Sequence, residues 1–169
     1  HFKATNTASV AIVFTNKADA QVIQRAEKYQ VTSHVFTKND LETGKILQEI
    51  NLIQPDLIVL AGFLWKFPVS IIVQYPNKVI NIHPALLPNY GGKGMYGMHI
   101  HRAIVNNKEK ETGISIHYVN ENYDEGAIIF QKQVTVLGTD TPEVVAEKIH
   151  ELEQEFFPLV IEKLLTNNL

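Results

Sequence analysis

The sequence predicts an α/β fold: a doubly wound, mostly parallel twisted sheet with helices on both faces and an antiparallel edge hairpin. Three observations carry this. Short apolar runs rich in β-branched residues recur at residues 9–15, 56–61 and 79–83, continuous rather than alternating, as strands covered on both faces require. Between them lie segments with apolar residues at three- and four-residue steps, which gives βαβα order. Late in the chain two further runs, 113–119 and 127–136, are separated only by the polar turn 120–126 and read as a hairpin.

Each element has a local reason. The first strand stops at Asn16-Lys17-Ala18-Asp19, and Asp19 is a plausible N-cap for a helix whose stripe is Val22, Ile23, Ala26 and Tyr29. A short strand at 34–36 follows. Asn39 or Asp40 can cap a second helix that buries Leu41, Ile46, Leu47, Ile50 and Ile53 and ends before Pro55. After the strand at 56–61 come a short helix at 69–75, the strand at 79–83, and a loop over 84–97 containing two Pro and four Gly. A helix over 98–106 precedes the hairpin. Thr141-Pro142-Glu143 supplies an N-cap, a proline at the first helical position and an acid in the first turn, opening a helix that runs to about Leu165.

The 169 residues suit one domain with a sizeable core. Fifteen Lys and Arg against eighteen Asp and Glu leave a formal charge of −3, so no strong positive field gathers nucleic acid or an anionic membrane. The chain has no Cys, which removes disulfides, thiolate metal sites and Cys nucleophiles. No apolar run approaches the roughly 18 residues of a membrane span. The expectation is a soluble, cytoplasmic protein whose chemistry uses His, carboxylates, amides or backbone.

The most informative segment is Asn81-Ile82-His83-Pro84-Ala85-Leu86-Leu87-Pro88. Asn81 and His83 are two apart on a strand and project from one face. They also sit at the strand's carboxyl end, where open α/β sheets bind ligands. Taken singly, each residue could be a local cap. Asp124 lies in the hairpin turn, either as a plain turn former or as a carboxylate near an imidazole, where it would raise the imidazole's pKa and hold it as a proton carrier. His99 and His101 are two apart on a helix and point to opposite sides, which argues against a metal pair. The loop 91–97 is Gly-rich like a lid but lacks the Gly-Lys-Ser/Thr ending of a phosphate loop. Phe63, Trp65 and Phe67 lie at the same rim as His83, either lining a pocket for a flat ring or packing a helix. Glu153, inside the last helix, reads as a solvated charge.

The segment 81–88 resembles the Asn-x-His-Pro-(Ser/Ala)-Leu-Leu-Pro signature of the folate-dependent formyltransferases. Asn16-Lys17-Ala18-Asp19-Ala20, Ala61-Gly62-Phe63, the run 113–119, Asp124 and Pro158-Leu159-Val160-Ile161 are similar, in order, to the phosphoribosylglycinamide formyltransferase branch, across essentially the whole chain. Relatives acting on methionyl-tRNA carry a C-terminal domain, and the formyltetrahydrofolate hydrolases carry an extra N-terminal one. The resemblance implies the formyltransferase fold and formyl transfer from 10-formyltetrahydrofolate, a co-substrate, to the amine of glycinamide ribonucleotide in purine biosynthesis. It also implies a monomer or homodimer with no metal, no nucleic acid and no membrane partner. A hydrolase or another formyltransferase on the same site is the alternative, and a non-catalytic binding module is a third reading.

By that resemblance, the Asn81 amide and protonated His83 stabilise the oxyanion, while Asp124 supports the imidazole and, through water, moves the amine proton. Asn81, Pro84 and Glu153 contact the ribonucleotide. Leu64, Trp65, Lys66 and Phe67 on one side and Val119, Asn120, Glu121, Asn122 and Tyr123 on the other hold the pterin, although Trp65-Lys66 departs from the commoner Arg-hydrophobic pair. The family also begins with a strand and a Gly-Ser-Gly-Ser-Asn-like phosphate loop, for which residues 1–169 show no counterpart. The expectation is a single formyltransferase domain preceded in the natural protein by about 20 further residues.

Overall fold

The computed structural model describes residues 1–166, and they fall into two compact units, residues 1–56 and residue 57 onward. The first unit opens with one helical turn, α1 (Phe2–Thr5), where no helix is expected from the sequence. Strand β1 (Ile12–Thr15) pairs in parallel with β2 (Thr32–Val35), Ile12 opposite Thr32 and Thr15 opposite Val35. Helix α2 (Gln21–Lys28) makes the crossover. Its N-cap is Ala20, without a side-chain hydrogen bond, rather than Asp19.

The expected second helix is two helices. Thr37 caps α3 (Lys38–Glu42) in a reciprocal capping box with Asp40, and the Thr37 hydroxyl and amide together pull the Asp40 carboxyl down to about 2. Gly44, at φ +82°, ends that run in a conformation side chains resist, and α4 (Lys45–Ile53) restarts from it. Leu41, Ile46 and Ile50 form the buried stripe as expected, with Leu47 and Ile53 half-buried beside them.

The second unit is built on a four-stranded sheet in the order β3 (Ile58–Ala61), β4 (Val79–His83), β5 (Glu111–Tyr118), β6 (Ile128–Thr135). β3 and β4 are parallel, joined through α5 (Val69–Gln74), whereas β4–β5 and β5–β6 are antiparallel. The edge hairpin is therefore present. The strands form two separately bonded sheets, and the bonded pairs divide evenly between parallel and antiparallel. Ile80, Ile82, Ile114 and Ile116 pack one face of the sheet against Ile149, Phe157 and Val160 of α7 (Pro142–Leu165). Thr141 accepts the Val144 amide and Pro142 opens the first turn, as the sequence predicts. A smaller core joins Ala85 and Val136 to Ile100 and Ile104 of α6 (Met98–Asn106) and Val145 of α7.

His101 on α6 is 5% exposed, and its Nδ1 has no hydrogen-bond partner among the described residues. Burial pushes its imidazole below the ordinary value of 6.5, and His150 adds to the effect. A depressed imidazole takes up a proton more readily in the unfolded chain, so its stability contribution is lost as pH falls below 6.5. Replacing a buried unsatisfied group by an apolar one is close to neutral or stabilising. His101→Leu is expected to raise Tm by about 3 °C at pH 8, with the advantage growing at pH 5.5. Thermal melts at the two pH values check this, and an advantage that shrinks at pH 5.5 would contradict it.

Candidate active site

Register brings the site together. In the antiparallel pairing of β4 with β5, Asn81 lies opposite His117 and His83 opposite Ser115. Directly opposed residues share a face, so two consecutive cross-strand pairs present four polar side chains on one side of the sheet. The alternate residues, Ile80, Ile82, Ile114 and Ile116, face the hydrophobic core on the other side.

Ser115 supports the chain just after His83. Its hydroxyl donates to the Ala85 carbonyl at 2.6 Å and accepts from the Leu87 amide at 2.9 Å. The Gln131 amide of β6 donates to Ser115 Oγ at 2.8 Å and to the Leu87 carbonyl at 3.0 Å. The turn at 85–87 is thereby hydrogen-bonded to two strands of the sheet.

His83 is 4% exposed, and its Nε2 donates to the Tyr90 carbonyl at 2.8 Å. A carbonyl only accepts, so Nε2 carries the hydrogen and Nδ1 faces Asp124 Oδ2 at 3.6 Å. His117 is oriented in the same manner: Nδ1 donates to the Tyr118 carbonyl at 2.9 Å, and Nε2 accepts from the Asn81 amide at 3.1 Å. His117 Nε2 also lies 3.6 Å from Asp124 Oδ1. One carboxylate thus sits between two imidazoles, with a third contact from the Gly92 amide to Oδ2 at 2.9 Å.

Asp124 is held at φ +57°, a left-handed conformation that Asp tolerates better than branched residues. Burial raises its carboxyl, but His117, His83 and the Gly92 amide outweigh burial and leave it below the ordinary carboxylate value. For His83 the balance is different. Burial lowers its imidazole, and the Asp124 charge and the Tyr90 carbonyl oppose that without cancelling it. The pair is therefore a carboxylate beside an imidazole whose burial disfavours its second proton, the position open to that proton being Nδ1, facing Asp124.

Next to this pair an open cleft, about 400 Å³ including solvent at its mouth, runs between the segment after β3 and the segment after β5. Phe63, Trp65, Lys66 and Phe67 from the first segment and Val119, Asn120, Asn122 and Tyr123 from the second line it, together with Asn81, His117 and Asp124. Phe63 is the hub of the aromatic wall, edge-on to Trp65 at 6.3 Å and to Phe67 at 5.6 Å. Of the residues singled out from the sequence for a flat-ring ligand, Leu64 and Glu121 are exposed and outside this lining.

Pro84 is half-buried at the head of the loop after β4, and Glu153 lies on α7 with its carboxylate 3.0 Å from His150 Nδ1. Neither lines the cleft. His99 packs edge-on against Tyr96 at 5.2 Å. Among the described residues no group of three His, Asp or Glu is placed to hold a metal ion.

Comparison with known protein families matches the formyl transferase family over residues 2–161. The chain belongs to that family. A phosphoribosylglycinamide formyltransferase of Bacillus subtilis is 35% identical over 166 residues, covering 95% of this chain and 83% of the relative. The chloroplastic enzyme of the same name from Arabidopsis thaliana is 35% identical over 158 residues, and the chain, covered to 90%, spans about half (54%) of its length. Among solved structures, phosphoribosylglycinamide formyltransferase from Bacillus halodurans superposes with a TM-score of 0.87 at 27% identity, covering 99% of this chain and 88% of that one.

In this member of the family, sequence reasoning missed His117, although a signal was there. Ser115 and His117 interrupt the apolar run of β5 at a spacing of two, the same polar spacing as Asn81 and His83 on the neighbouring strand. Two matched polar steps in facing strands predict one shared polar patch.

Proposed function

We propose that this chain transfers the formyl group of 10-formyltetrahydrofolate to the primary amine of glycinamide ribonucleotide, as part of de novo purine synthesis in the cytoplasm. The observation that carries the reading is an aromatic-walled cleft lined by Asn81 and Asp124, with His83 Nδ1 set 3.6 Å behind Asp124 Oδ2, in a chain of the formyl transferase family.

The amine nitrogen attacks the formyl carbon, and the carbonyl oxygen becomes an oxyanion. The Asn81 amide offers one N–H to that oxygen, and His83, taking a second proton on Nδ1 from solvent as the charge grows, offers Nδ1–H and returns that proton to solvent when the carbonyl reforms. Donors aimed at charge that exists only in the transition state lower the barrier rather than merely tightening binding. Asp124, ionised throughout the neutral range, stabilises the cationic imidazole. Through a water it also accepts the proton of the attacking amine and returns it to the departing folate nitrogen. The C–N bond to folate then breaks, leaving tetrahydrofolate and the formylated amine, with atoms and charge balanced.

In the same proposal the pterin stacks in the cleft between the segments 63–67 and 119–123, with Leu64 and Glu121 at its outer edge. Pro84 and Glu153 contact the ribonucleotide.

Trp65 is the only tryptophan in the chain and lies in the cleft wall, so its fluorescence reports directly on occupancy. Titration with a folate analogue is expected to quench it saturably by stacking. A linear, non-saturating response at analogue concentrations that inhibit turnover would contradict folate in this cleft.

A further inference from the structure

We infer that the Tyr90 side chain is a positioning residue for His83: its phenol, clamped by Glu109 and Asn107, fixes the backbone carbonyl that holds the imidazole. The phenol donates to Glu109 Oε1 at 2.7 Å and accepts from Asn107 Nδ2 at 2.8 Å. Both partners belong to the turn that links α6 to β5 and are held by its backbone, Asn107 through its amide to the Ala103 carbonyl and Glu109 through its amide to the Ile104 carbonyl. The Tyr90 ring also packs against the small core of Ala85, Ile100 and Ile104. The main chain at Tyr90 is left-handed, φ +57°, a conformation that an aromatic residue keeps only when its surroundings over-determine it.

The consequence lies on the other side of the residue. From the same backbone position the Tyr90 carbonyl accepts His83 Nε2–H, and two residues later the Gly92 amide binds Asp124 Oδ2. A segment of three residues thus orients both members of the pair. Glycines at 91, 92, 94 and 97 give the rest of this loop little stiffness of its own, so the phenol clamp sets where the carbonyl stands. If the carbonyl drifts, the imidazole loses the contact that commits its first hydrogen to Nε2, and either nitrogen can face Asp124. The charged and titratable groups around His83 are Asp124 from the β5–β6 loop and His117 from β5, and Glu109 faces Tyr90 from the α6–β5 turn.

The inference rests on the formyl-transfer reading for its kinetic arm only, because nuclear magnetic resonance of the histidine ring nitrogens reads His83 without substrate. In the unaltered protein His83 is expected as a single Nε2–H tautomer. In Tyr90→Phe the tautomers mix and the titration midpoint moves lower, since the carbonyl that favoured the cation is displaced. Turnover is expected to fall about tenfold in kcat, with KM for both substrates changed by less than about twofold. Glu109→Gln retains an oxygen to accept from the phenol and should match the unaltered protein in both readouts, whereas Glu109→Ala should match Tyr90→Phe. The Glu109 pair carries the test if Tyr90→Phe fails to fold. A lowered Tm with His83 titration, tautomer and kcat all unchanged would overturn the inference and leave Tyr90 as a loop anchor alone. Altered His83 resonances in a protein that transfers no formyl group would sustain the inference and reject the proposed reaction instead.

Discussion

Replacing His83 by alanine is expected to lower kcat for formyl transfer by about 10³-fold, and Asp124→Asn by about 10²-fold, in proteins that remain folded. The two losses have different origins. His83→Ala removes the Nδ1 donor aimed at the oxyanion and leaves the Tyr90 carbonyl without the hydrogen bond that His83 makes to it. Asp124→Asn keeps an oxygen for the Gly92 amide, so the loop stays anchored, but it removes the charge that stabilises the imidazolium and the site that accepts the amine proton. Because both variants break one coupled pair, the double variant should lose little more than His83→Ala alone. Steady-state kinetics on the three proteins, alongside far-ultraviolet circular dichroism, measures this. Near-normal turnover in either single variant would remove these residues from the chemistry.

The pair also fixes a pH dependence of stability. Both folded-state values are depressed, so each group contributes stability above its ordinary value and loses it as pH falls through the folded one. His83 acts first, below 6.5, and Asp124 only below 3.8.

Gly126→Ala is expected to destabilise the protein by about 3 kcal/mol, lowering Tm by about 10 °C. A Cβ at that position would stand 1.7 Å from the Tyr118 carbonyl oxygen and 2.7 Å from the carbonyl carbon, both rigid backbone atoms at the mouth of the hairpin. Tyr118 and Ala127 are hydrogen-bonded there, Tyr118 N to Ala127 O at 2.9 Å, and the methyl group can be accommodated only by prying that contact open. Since the loop beyond it carries Asp124, turnover should fall along with stability. Gly138→Ala is the control, because its Cβ would meet nothing within 4 Å. Thermal melts on both variants decide the point: a Gly126→Ala protein melting within about 2 °C of the unaltered one would show that the hairpin tolerates the methyl group.

Much of this was legible beforehand because local chemistry and tertiary demand agree. The strand Val79–His83 and the helix Met98–Asn106 have the predicted bounds, since an apolar run ending at a proline and a helical stripe opened by glycine each leave one choice. The break at Gly44 is legible only in the step from Leu41 to Ile46, which is five residues and about 140° out of helical phase, so reading Leu41 and Ile46 as one stripe merges α3 with α4. In the site, Asn81 and His83 were visible as a pair because they lie on one strand. Their relation to Asp124, His117 and Tyr90 spans 41, 34 and 7 residues counted from His83, and only strand register and loop closure create it. Tyr90 in particular acts through its carbonyl, which no residue type advertises.

The most direct test follows the formyl carbon. Full-length protein is given 10-formyltetrahydrofolate labelled at the formyl group together with glycinamide ribonucleotide, and the label is divided between formylated amine and free formate. Transfer at the Asn81, His83 and Asp124 site predicts that nearly all label appears in the formylated ribonucleotide, with formate release far slower and unaffected by added amine. Stoichiometric formate with no labelled ribonucleotide would contradict the account and make water the acceptor.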